Sequence, residues 1–419
     1  MRFELGWGRS GVCFELEAAA DILERSSVAG GGTGAVPDGG AAEAEIISSA
    51  MDSASISLSD FAAGGSRFSV VVSDQTRPTG ADVYLPFIFA QLREAGASEI
   101  TVILAQGLHR GATPSEIEKI FGGPVPDDVT VVNHDAENDL LRCGDAYFRR
   151  EAVEADRLII TGAVTFHPMA GFSGGRKSLL PGVASADDIR KNHRLYFNGT
   201  EHNSLCSPSI VKDNPVRDDL TRRTSGFKNL WALNVVIGES KQILFASCGN
   251  PDGVWHDCCG YVADNFSVPF PDSFDNIISS AGGYPSDFSF YQSMKVLTNS
   301  ARACREGGRL IILSECSNGW EIREEMLELF KRPLREVAGM LISDFRMDLL
   351  GLYMAMSIIS RYEVWLYSSL PKAEVEASGM HYISSPEEIA GLTDSGSTAV
   401  IKNGSSILPV PAGQQKENK

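Results

Sequence analysis

The sequence lacks the features that would assign it to a membrane or to an oxidising compartment. Its apolar runs, such as Ile100–Ala105, have the length of a strand, whereas roughly 20 apolar residues are needed to span a bilayer. The first residues, MRFELGWGRS, show no basic region followed by an apolar segment, so no secretory signal is expected. The 8 cysteines include no C-x-x-C pair and no metal-ligand spacing, which indicates reduced thiols in a cytoplasmic protein.

Positive charge is also scarce. The chain has 37 Lys and Arg against 54 Asp and Glu, a formal net charge of −17. This balance argues against nucleic acid and against an anionic membrane surface as partners. A chain this acidic would bind an anion through a few locally placed cations, so clusters of Arg and Lys are informative.

Two common nucleotide-binding patterns are missing. No G-x-G-x-x-G follows a strand and opens a helix, which argues against a nicotinamide-dependent dehydrogenase. A phosphate-binding P-loop needs G-x-x-x-x-G-K-[ST], but counting from Gly171 the required second glycine is replaced by Arg176. No internal repeat at a fixed period is visible.

The sequence does contain strands that alternate with helices, the pattern of a largely parallel sheet covered on both faces. Its 419 residues favour two domains. We expect an N-terminal α/β domain over residues 1–268, a smaller C-terminal α/β domain over 272–396, a terminal strand and polar tail over 397–419, and an active site in the cleft between the domains. The glycine-rich segment 28–42 is predicted to be a loop, and the prolines of 267–272 mark the boundary. The predicted strands are Arg2–Leu5, Val12–Leu16, Arg67–Ser73, Ile100–Ala105, Val129–Asn133, Leu158–Ala163, Leu230–Gly238, Asn276–Ser280, Arg309–Leu313, Glu363–Tyr367 and Thr398–Lys402. The predicted helices are Asp82–Ala95, Pro114–Phe121, Asp187–Leu195, Val254–Phe266, Phe290–Cys304, Glu321–Phe330, Leu334–Leu341, Asp348–Ser360 and Pro386–Gly391, and the region between Leu195 and Lys228 is expected to be irregular.

Four loops rich in chemically reactive residues follow predicted strands. Ligands of open α/β sheets bind beyond the carboxyl ends of strands, so we expect all four loops at one edge. Each loop also has an ordinary structural interpretation, such as an ion pair between Asp74 and Arg77 or a core role for His109. His134, His202, His256 and His381 lack such neighbours and are interpreted as structural. The four loops begin at Ser73 (SDQTRP), Gln106 (QGLHR), Phe166 (FHPMAGFSGGRK) and Ala281 (AGGYPSD).

The third loop opens the most informative stretch, Phe166–His193. It combines His167, a glycine-rich turn, Lys177 and His193. Glycines allow the backbone to approach a ligand closely. Lysine can form covalent bonds once its pKa is lowered, and histidine is the usual acid, base and metal ligand near neutral pH. The stretch therefore predicts a site that binds an anionic cofactor.

These motifs, together with the YQSMK segment Tyr291–Lys295, resemble the lactate racemase family, in order from about Phe68 to Leu370. The resemblance implies a nickel-pincer nucleotide, a pyridinium-3-thioamide-5-thiocarboxylic acid mononucleotide, covalently attached to Lys177. It also implies His193 as the nickel ligand, which suits the preference of Ni(II) for imidazole. Cofactor-biosynthesis enzymes would then be partners.

The resemblance further implies a reaction and its residues. His109 and His167 would be the acid/base pair of a 2-hydroxyacid racemase or epimerase that passes hydride through a 2-keto acid. Arg77, Gln292 and Lys295 would bind the substrate. The residues implied around the cofactor are Asp74, Gly174, Gly175 and Tyr291.

One position departs from the family. An ungapped alignment back from Leu370 places Leu350 where lactate racemase has a tryptophan near the substrate, which predicts a substrate larger than lactate. A nicotinamide-dependent 2-hydroxyacid dehydrogenase and a non-catalytic, anion-binding two-domain protein stay open as alternatives. The identity of the acid and the oligomeric state stay open too.

Overall fold

The computed structural model of the protein describes residues 1–17, 19–25, 39–322 and 327–413. The chain divides into two compact units. The larger unit comprises Gly31–Tyr196 and His202–Asp264, and the smaller unit comprises Met1–Gly30, Phe197–Glu201 and Asn265–Lys419. Across the described ranges, every helix is too short or too polar to cross a membrane.

The strands are numbered in chain order. They are β1 (Arg2–Trp7), β2 (Ser10–Glu15), β3 (Asp21–Leu23), β4 (Arg67–Ser73), β5 (Glu99–Ala105), β6 (Val129–Asn133), β7 (Leu140–Cys143), β8 (Ala146–Arg149), β9 (Arg157–Ala163), β10 (Phe166–His167), β11 (Gly171–Phe172), β12 (Phe197–Asn198), β13 (Glu201–His202), β14 (Leu230–Ile237), β15 (Ile243–Gly249), β16 (Ser267–Phe270), β17 (Phe274–Ser280), β18 (Cys304–Leu313), β19 (Glu363–Tyr367), β20 (His381–Ile383), β21 (Thr398–Ile401) and β22 (Leu408–Pro411).

The helices are numbered in the same way. They are α1 (Gly39–Asp52), α2 (Leu58–Ala62), α3 (Ala81–Glu94), α4 (Pro114–Phe121), α5 (Arg150–Glu154), α6 (Ala186–Arg194), α7 (Pro215–Thr224), α8 (Pro251–Phe266), α9 (Phe290–Ser300), α10 (Leu334–Ser343), α11 (Met347–Ile359), α12 (Lys372–Ala377) and α13 (Glu388–Gly391), with short 3₁₀ helices at Gly175–Ser178 and Glu328–Lys331.

A six-stranded sheet forms the centre of the larger unit, in the order β15-β14-β9-β4-β5-β6. All its strand pairs are parallel except β14 with β15. Successive side chains of a strand point to opposite faces. Val70 and Val72 of β4 accordingly pack into one apolar cluster and Val71 into another. The sheet is therefore covered on both faces, as the continuous apolar strands predict.

Local sequence signals fix the ends of the helices. Thr113 and Glu116 form a capping box at the start of α4, Pro114 occupies its first turn, and Gly122 ends it in the left-handed conformation with φ 68°. Ser185 caps α6 by accepting a hydrogen bond from the amide of Asp188. These caps explain why the predicted bounds of both helices agree closely with the observed ones.

The smaller unit has its own six-stranded parallel sheet, in the order β20-β19-β18-β17-β21-β3. The N-terminal residues belong to this unit, because Asp21–Leu23 pair with β21 and the β1–β2 hairpin packs on the sheet through residues such as Phe3 and Leu5. This division differs from the expected N-terminal domain of 1–268. The difference arises because strand pairing between segments so distant in sequence produces no local sequence pattern from which the domain assignment could be predicted.

Several predicted segments were wrong in detail. Most of segment 28–42 lies outside the described residues, but its last residues open α1. The irregular region expected before Lys228 contains α7, and the proline segment 267–272 contains β16, which pairs with β22. The helix predicted for Phe290–Cys304 ends at Ser300, since Cys304 begins β18. The helix predicted for Glu321–Phe330 lies partly outside the described residues.

Candidate active site

Three of the four predicted loops meet at one edge of the larger sheet. Strands β9, β4 and β5 are parallel neighbours, so their carboxyl ends are adjacent. Asp74 follows β4, His109 follows β5, and His167 lies just beyond β9. The fourth loop follows β17 in the smaller unit. The expectation that all four loops share one edge was therefore wrong, because β17 belongs to a second sheet, that of the smaller unit.

Asp74 and His109 form a short hydrogen bond. Nδ1 of His109 lies 2.6 Å from Oδ2 of Asp74, a residue that is only 1% exposed. The other carboxylate oxygen accepts hydrogen bonds from the amide and hydroxyl of Thr76, at 3.0 and 2.6 Å. Burial alone would raise the pKa of Asp74, but the hydrogen bonds from His109 and Thr76 outweigh it, and the pKa lies below its ordinary value. Asp74 is therefore an ionised acceptor that orients the His109 ring.

Arg77 brings a cation to the same pair. Its Nη1 lies 3.9 Å from Oδ2 of Asp74 and 3.5 Å from Nδ1 of His109. The side chain is 61% exposed, so its remaining N–H groups face solvent. A guanidinium in this position is available to a carboxylate ligand, with which it forms a bidentate pair.

His167 is held by a tight backbone turn. Its Nδ1 accepts hydrogen bonds from the amides of Met169 and Ala170, at 3.2 and 3.1 Å. Burial lowers the pKa of His167 well below its ordinary value, and the positive charges of Lys177, Arg217 and Arg77 lower it further. His167 is thus a neutral imidazole.

Lys177 lies in the 3₁₀ helix Gly175–Ser178, beside β9. The neighbouring Ser178 hydroxyl anchors this helix by donating to the carbonyl of Thr161, at 2.6 Å. Burial lowers the pKa of Lys177 to about 7, and the positive charges of Arg217 and Arg77 contribute to the shift. A large share of this amine is therefore uncharged near neutral pH, which makes it nucleophilic.

Gly174 and Gly175 are required by close packing. Gly174 has φ 70° and Gly175 has φ 56°, in the left-handed region. A Cβ at Gly175 would lie 2.7 Å from the ring of Trp255, so no side chain fits there. The amide of Gly175 donates to Oδ1 of Asn234 at 2.8 Å. That amide is already satisfied within the protein, and contact of this turn with a cofactor phosphate stays a prediction.

His193 lies near the end of α6 and is 4% exposed. Its Nδ1 donates to the carbonyl of Ile189 at 2.9 Å, which puts the lone pair of the neutral ring on Nε2. Burial and the charge of Lys177 lower the pKa of His193 to about 3. Arg223 bridges Asp188 and Asp219 and so holds α6 against α7. His193 is thus a fixed, neutral imidazole of the kind that ligates metals.

Two residues of this site were missed by sequence reasoning. Arg217 on α7 donates to the carbonyls of Ala170 and Phe172 and lies 4.0 Å above the ring of Trp255. Burial lowers the pKa of Arg217 to about 10, and no carboxylate of a described residue pairs with it within 4.0 Å. Asn214, the cap of α7, donates to the carbonyl of Met169 at 2.9 Å. The Asn214-Pro215 step is a helix-start signal that could have revealed α7.

A pocket opens beside Asp74 and Arg77, on the side facing α3 and α4. Its lining includes Gln75, Thr79 and Lys119. Oε1 of Gln75 is buried without a hydrogen-bond partner. The space adjoins the Arg77 guanidinium, and its lining includes carboxylates, Asp82 and Glu116, as well as cations.

The remaining predicted residues lie in the smaller unit. Ser289 caps α9, which carries Tyr291, Gln292 and Lys295, and the side chains of Gln292 and Lys295 are exposed. Leu350, on α11, is 2% exposed. The next residue, Gly351, packs closely on α9, because a Cβ there would lie 3.1 Å from the ring of Tyr291. Helices α9 and α11 are thus in direct contact within this unit.

The four histidines interpreted as structural all have contacts within the fold. His134 is buried and bonds the carbonyl of Ala184, His202 bonds that of Cys206, and His256 bonds that of Asp252. His381 stacks on Trp365 with centroids 4.6 Å apart. Within the described ranges, no group of three or more His, Cys, Asp or Glu side chains could hold a metal ion.

Comparison with protein families gives two matches. Residues 26–204 match the family described as "Lactate racemase N-terminal domain", and residues 271–406 match "Lactate racemase C-terminal domain". Together these segments cover most of the chain and both of its units.

Two lactate racemases are similar in sequence. The enzyme of Thermoanaerobacterium thermosaccharolyticum is 34% identical over 271 residues, which are 62% of this chain and 63% of the relative. The match thus spans less than two thirds of that relative. The enzyme of Lactiplantibacillus plantarum is 31% identical over 292 residues, which are 66% of this chain and 67% of the relative.

Solved structures show the same architecture. The lactate racemase apoprotein from T. thermosaccharolyticum superimposes with a TM-score of 0.86 at 28% identity, over 98% of this chain and 100% of that one. A Thermotoga maritima protein superimposes with a TM-score of 0.63 at 17% identity, over 89% of this chain and 98% of that one, and shows the fold alone.

Proposed function

The chain belongs to the lactate racemase family, a family of isomerases, and we propose on this basis that it is a racemase or epimerase of a 2-hydroxy acid. The observation that carries the proposal is that His109, with its buried partner Asp74, and His167 follow β5 and β9, the two strands that flank β4. The same unit also holds Lys177 and His193. This combination would provide proton transfer and a covalent anchor for a cofactor in one unit.

The chemistry of a 2-hydroxy acid explains why this combination is needed. The α-C–H bond next to a carboxylate is a very weak acid, so its removal as a proton is costly. Its removal as hydride, while a base takes the hydroxyl proton, gives a planar 2-keto acid. Return of the hydride to the other face inverts the configuration, so the chain must position the acid and move a proton.

The residues present fit the nickel-pincer nucleotide of the family. The pKa of about 7 leaves much of the Lys177 amine uncharged, as a covalent thioamide linkage requires. The hydrogen bond from Nδ1 of His193 to Ile189 leaves the lone pair on Nε2, which would be the nickel ligand, while the organic group would supply the other ligands. When bound, this group would supply a reversible hydride acceptor.

Binding of the substrate is assigned to cationic and polar groups. Arg77 would pair with the carboxylate, and a role of Gln292 and Lys295 in binding the substrate stays a prediction from the family resemblance. A leucine at 350, where the family has a tryptophan, supports a substrate larger than lactate.

The test is to produce the protein together with the cofactor-biosynthesis enzymes and to offer it single enantiomers of 2-hydroxy acids. Chiral chromatography should show the opposite enantiomer of at least one acid, and intact mass should show the adduct on Lys177. His109→Gln should abolish turnover, whereas His256→Gln, an exposed histidine outside the site, should not. Net accumulation of keto acid would indicate a dehydrogenase instead. Absence of turnover by adduct-bearing protein with every acid would contradict the proposal.

A further inference from the structure

The loop that carries Arg77, residues 74–80, is fixed at its beginning by a local turn. The carboxylate of Asp74 accepts hydrogen bonds from the amide and the hydroxyl of Thr76, and the amide of Arg77 donates to the carbonyl of Asp74 at 3.1 Å. The Arg77 side chain is 61% exposed, and its Nη1 contacts Asp74 and His109 at 3.9 and 3.5 Å, which are weak restraints. The direction of this side chain therefore depends on how the rest of the loop is held.

After Pro78 the loop returns to the core at Thr79. This residue is 4% exposed, and its hydroxyl lies 2.9 Å from the hydroxyl of Tyr84 on α3. The Tyr84 hydroxyl lies 2.9 Å from that of Thr161 on β9, which donates to the carbonyl of Val71 on β4 at 2.9 Å. This hydroxyl network of Thr79, Tyr84 and Thr161 connects the loop to two central strands of the sheet.

The donor of each bond in the hydroxyl network can be assigned. A carbonyl only accepts, so the Thr161 hydroxyl uses its one proton on Val71 and must accept from Tyr84. The Tyr84 hydroxyl then has no proton left for Thr79 and accepts from it. Burial raises the pKa of Tyr84 to about 12, so this hydroxyl keeps its proton at neutral pH. Loss of one hydroxyl would leave a buried partner unsatisfied, which is costly.

The neighbouring contacts hold the same end of the loop. Gly80 has φ 68° and precedes α3, and a Cβ there would lie 2.7 Å from Cδ1 of Ile243 on β15. The carbonyl of Thr161 accepts a hydrogen bond from the hydroxyl of Ser178 at 2.6 Å, beside Lys177. Thr161 thus anchors the loop of Arg77 through its hydroxyl and the helix of Lys177 through its carbonyl.

We propose that Thr79 and Tyr84 are positioning residues for Arg77: their hydroxyl groups hold the loop so that the guanidinium stays beside Asp74 and His109, where it can receive the carboxylate of the substrate. Without the hydroxyl network, the end of the loop is released from β9. The guanidinium then takes more orientations, and binding the carboxylate costs more conformational entropy. This inference rests on the proposed function, which it deepens.

The first test needs no cofactor and no turnover. Hydrogen exchange of the apoprotein, followed by mass spectrometry, reports opening of the loop through the amides of Thr76 and Arg77. Thr79→Val keeps the shape of the side chain but removes its hydroxyl, and Tyr84→Phe removes the central hydroxyl of the network. Both variants should raise exchange of the loop by roughly five- to a hundred-fold, whereas Thr79→Ser, which keeps the hydroxyl, should exchange at the wild-type rate.

Thr393→Val is the matched control. Thr393 is a buried threonine of the smaller unit whose hydroxyl donates to the carbonyl of Ala390 at 3.0 Å, so its substitution should leave exchange of the loop unchanged. If the loop exchanges at the wild-type rate in Thr79→Val and in Tyr84→Phe, the hydroxyl network supports only the core and the inference is wrong. Thr79→Val decides alone if Tyr84→Phe does not fold.

The second test uses protein carrying the cofactor and an acid that the wild type turns over. Displacement of Arg77 weakens binding of the carboxylate in the ground state and in the transition state alike. Thr79→Val should therefore raise KM by roughly five- to a hundred-fold and change kcat much less, while Thr79→Ser should keep the wild-type KM. A fall in kcat at unchanged KM would overturn the positioning role. If the wild type turns over no acid, the proposed function is wrong, and exchange of the loop still decides whether the network holds it.

Discussion

The reactivity of the Lys177 amine gives the sharpest prediction, because it follows from burial and charge in the larger unit alone. With a pKa of about 7, roughly 90% of this amine is uncharged at pH 8, against about 0.3% of a lysine at the ordinary 10.5. Apoprotein should therefore be acylated at Lys177 with a midpoint near pH 7. Replacing the exposed Arg77 by glutamine removes one of the charges that lower this pKa, so the midpoint should rise.

The assay is trace acetylation across pH 6 to 11, with the Lys177 peptide quantified by mass spectrometry. Lys191 is an internal control, because its ion pair with Asp187 at 2.6 Å raises its pKa above the ordinary value. Its labelling should therefore begin only at much higher pH. A Lys177 profile that follows that of Lys191, or a midpoint that falls in Arg77→Gln, would refute the reasoning.

Three further predictions concern separate parts of the chain. His193→Ala should lose nickel in elemental analysis while intact mass still shows the adduct on Lys177, and nickel retained at full stoichiometry would exclude His193 as ligand. Leu350→Trp should shift the substrate preference towards small hydroxy acids in competition assays. If the wild-type protein prefers lactate to longer acids, the proposal of a substrate larger than lactate is wrong. Thr113→Ala should lower the free energy of unfolding by about 1 kcal/mol in urea, since it removes the capping box of α4. An unchanged midpoint would show that this cap contributes nothing to global stability.

Local signals determined much of the fold. The bounds of β4, α4, β6 and β19 agree with those predicted, because continuous apolar runs and caps depend only on neighbouring residues. The same holds for the candidate site. Asp74, His109 and His167 could be placed near one another, since carboxyl ends of adjacent parallel strands share an edge.

Long-range contacts decided the rest. Pairing of β3 with β21, far apart in the chain, assigns the N-terminal residues to the smaller unit, and no local pattern encodes that register. The roles of Asn214 and Arg217 also arise only in three dimensions, where α7 meets the backbone turn after His167. The sequence identifies which residues carry hydroxyl groups. Only the tertiary structure decides that those of Thr79, Tyr84 and Thr161 form one network, because they lie on a loop, a helix and a strand that meet only in the folded unit.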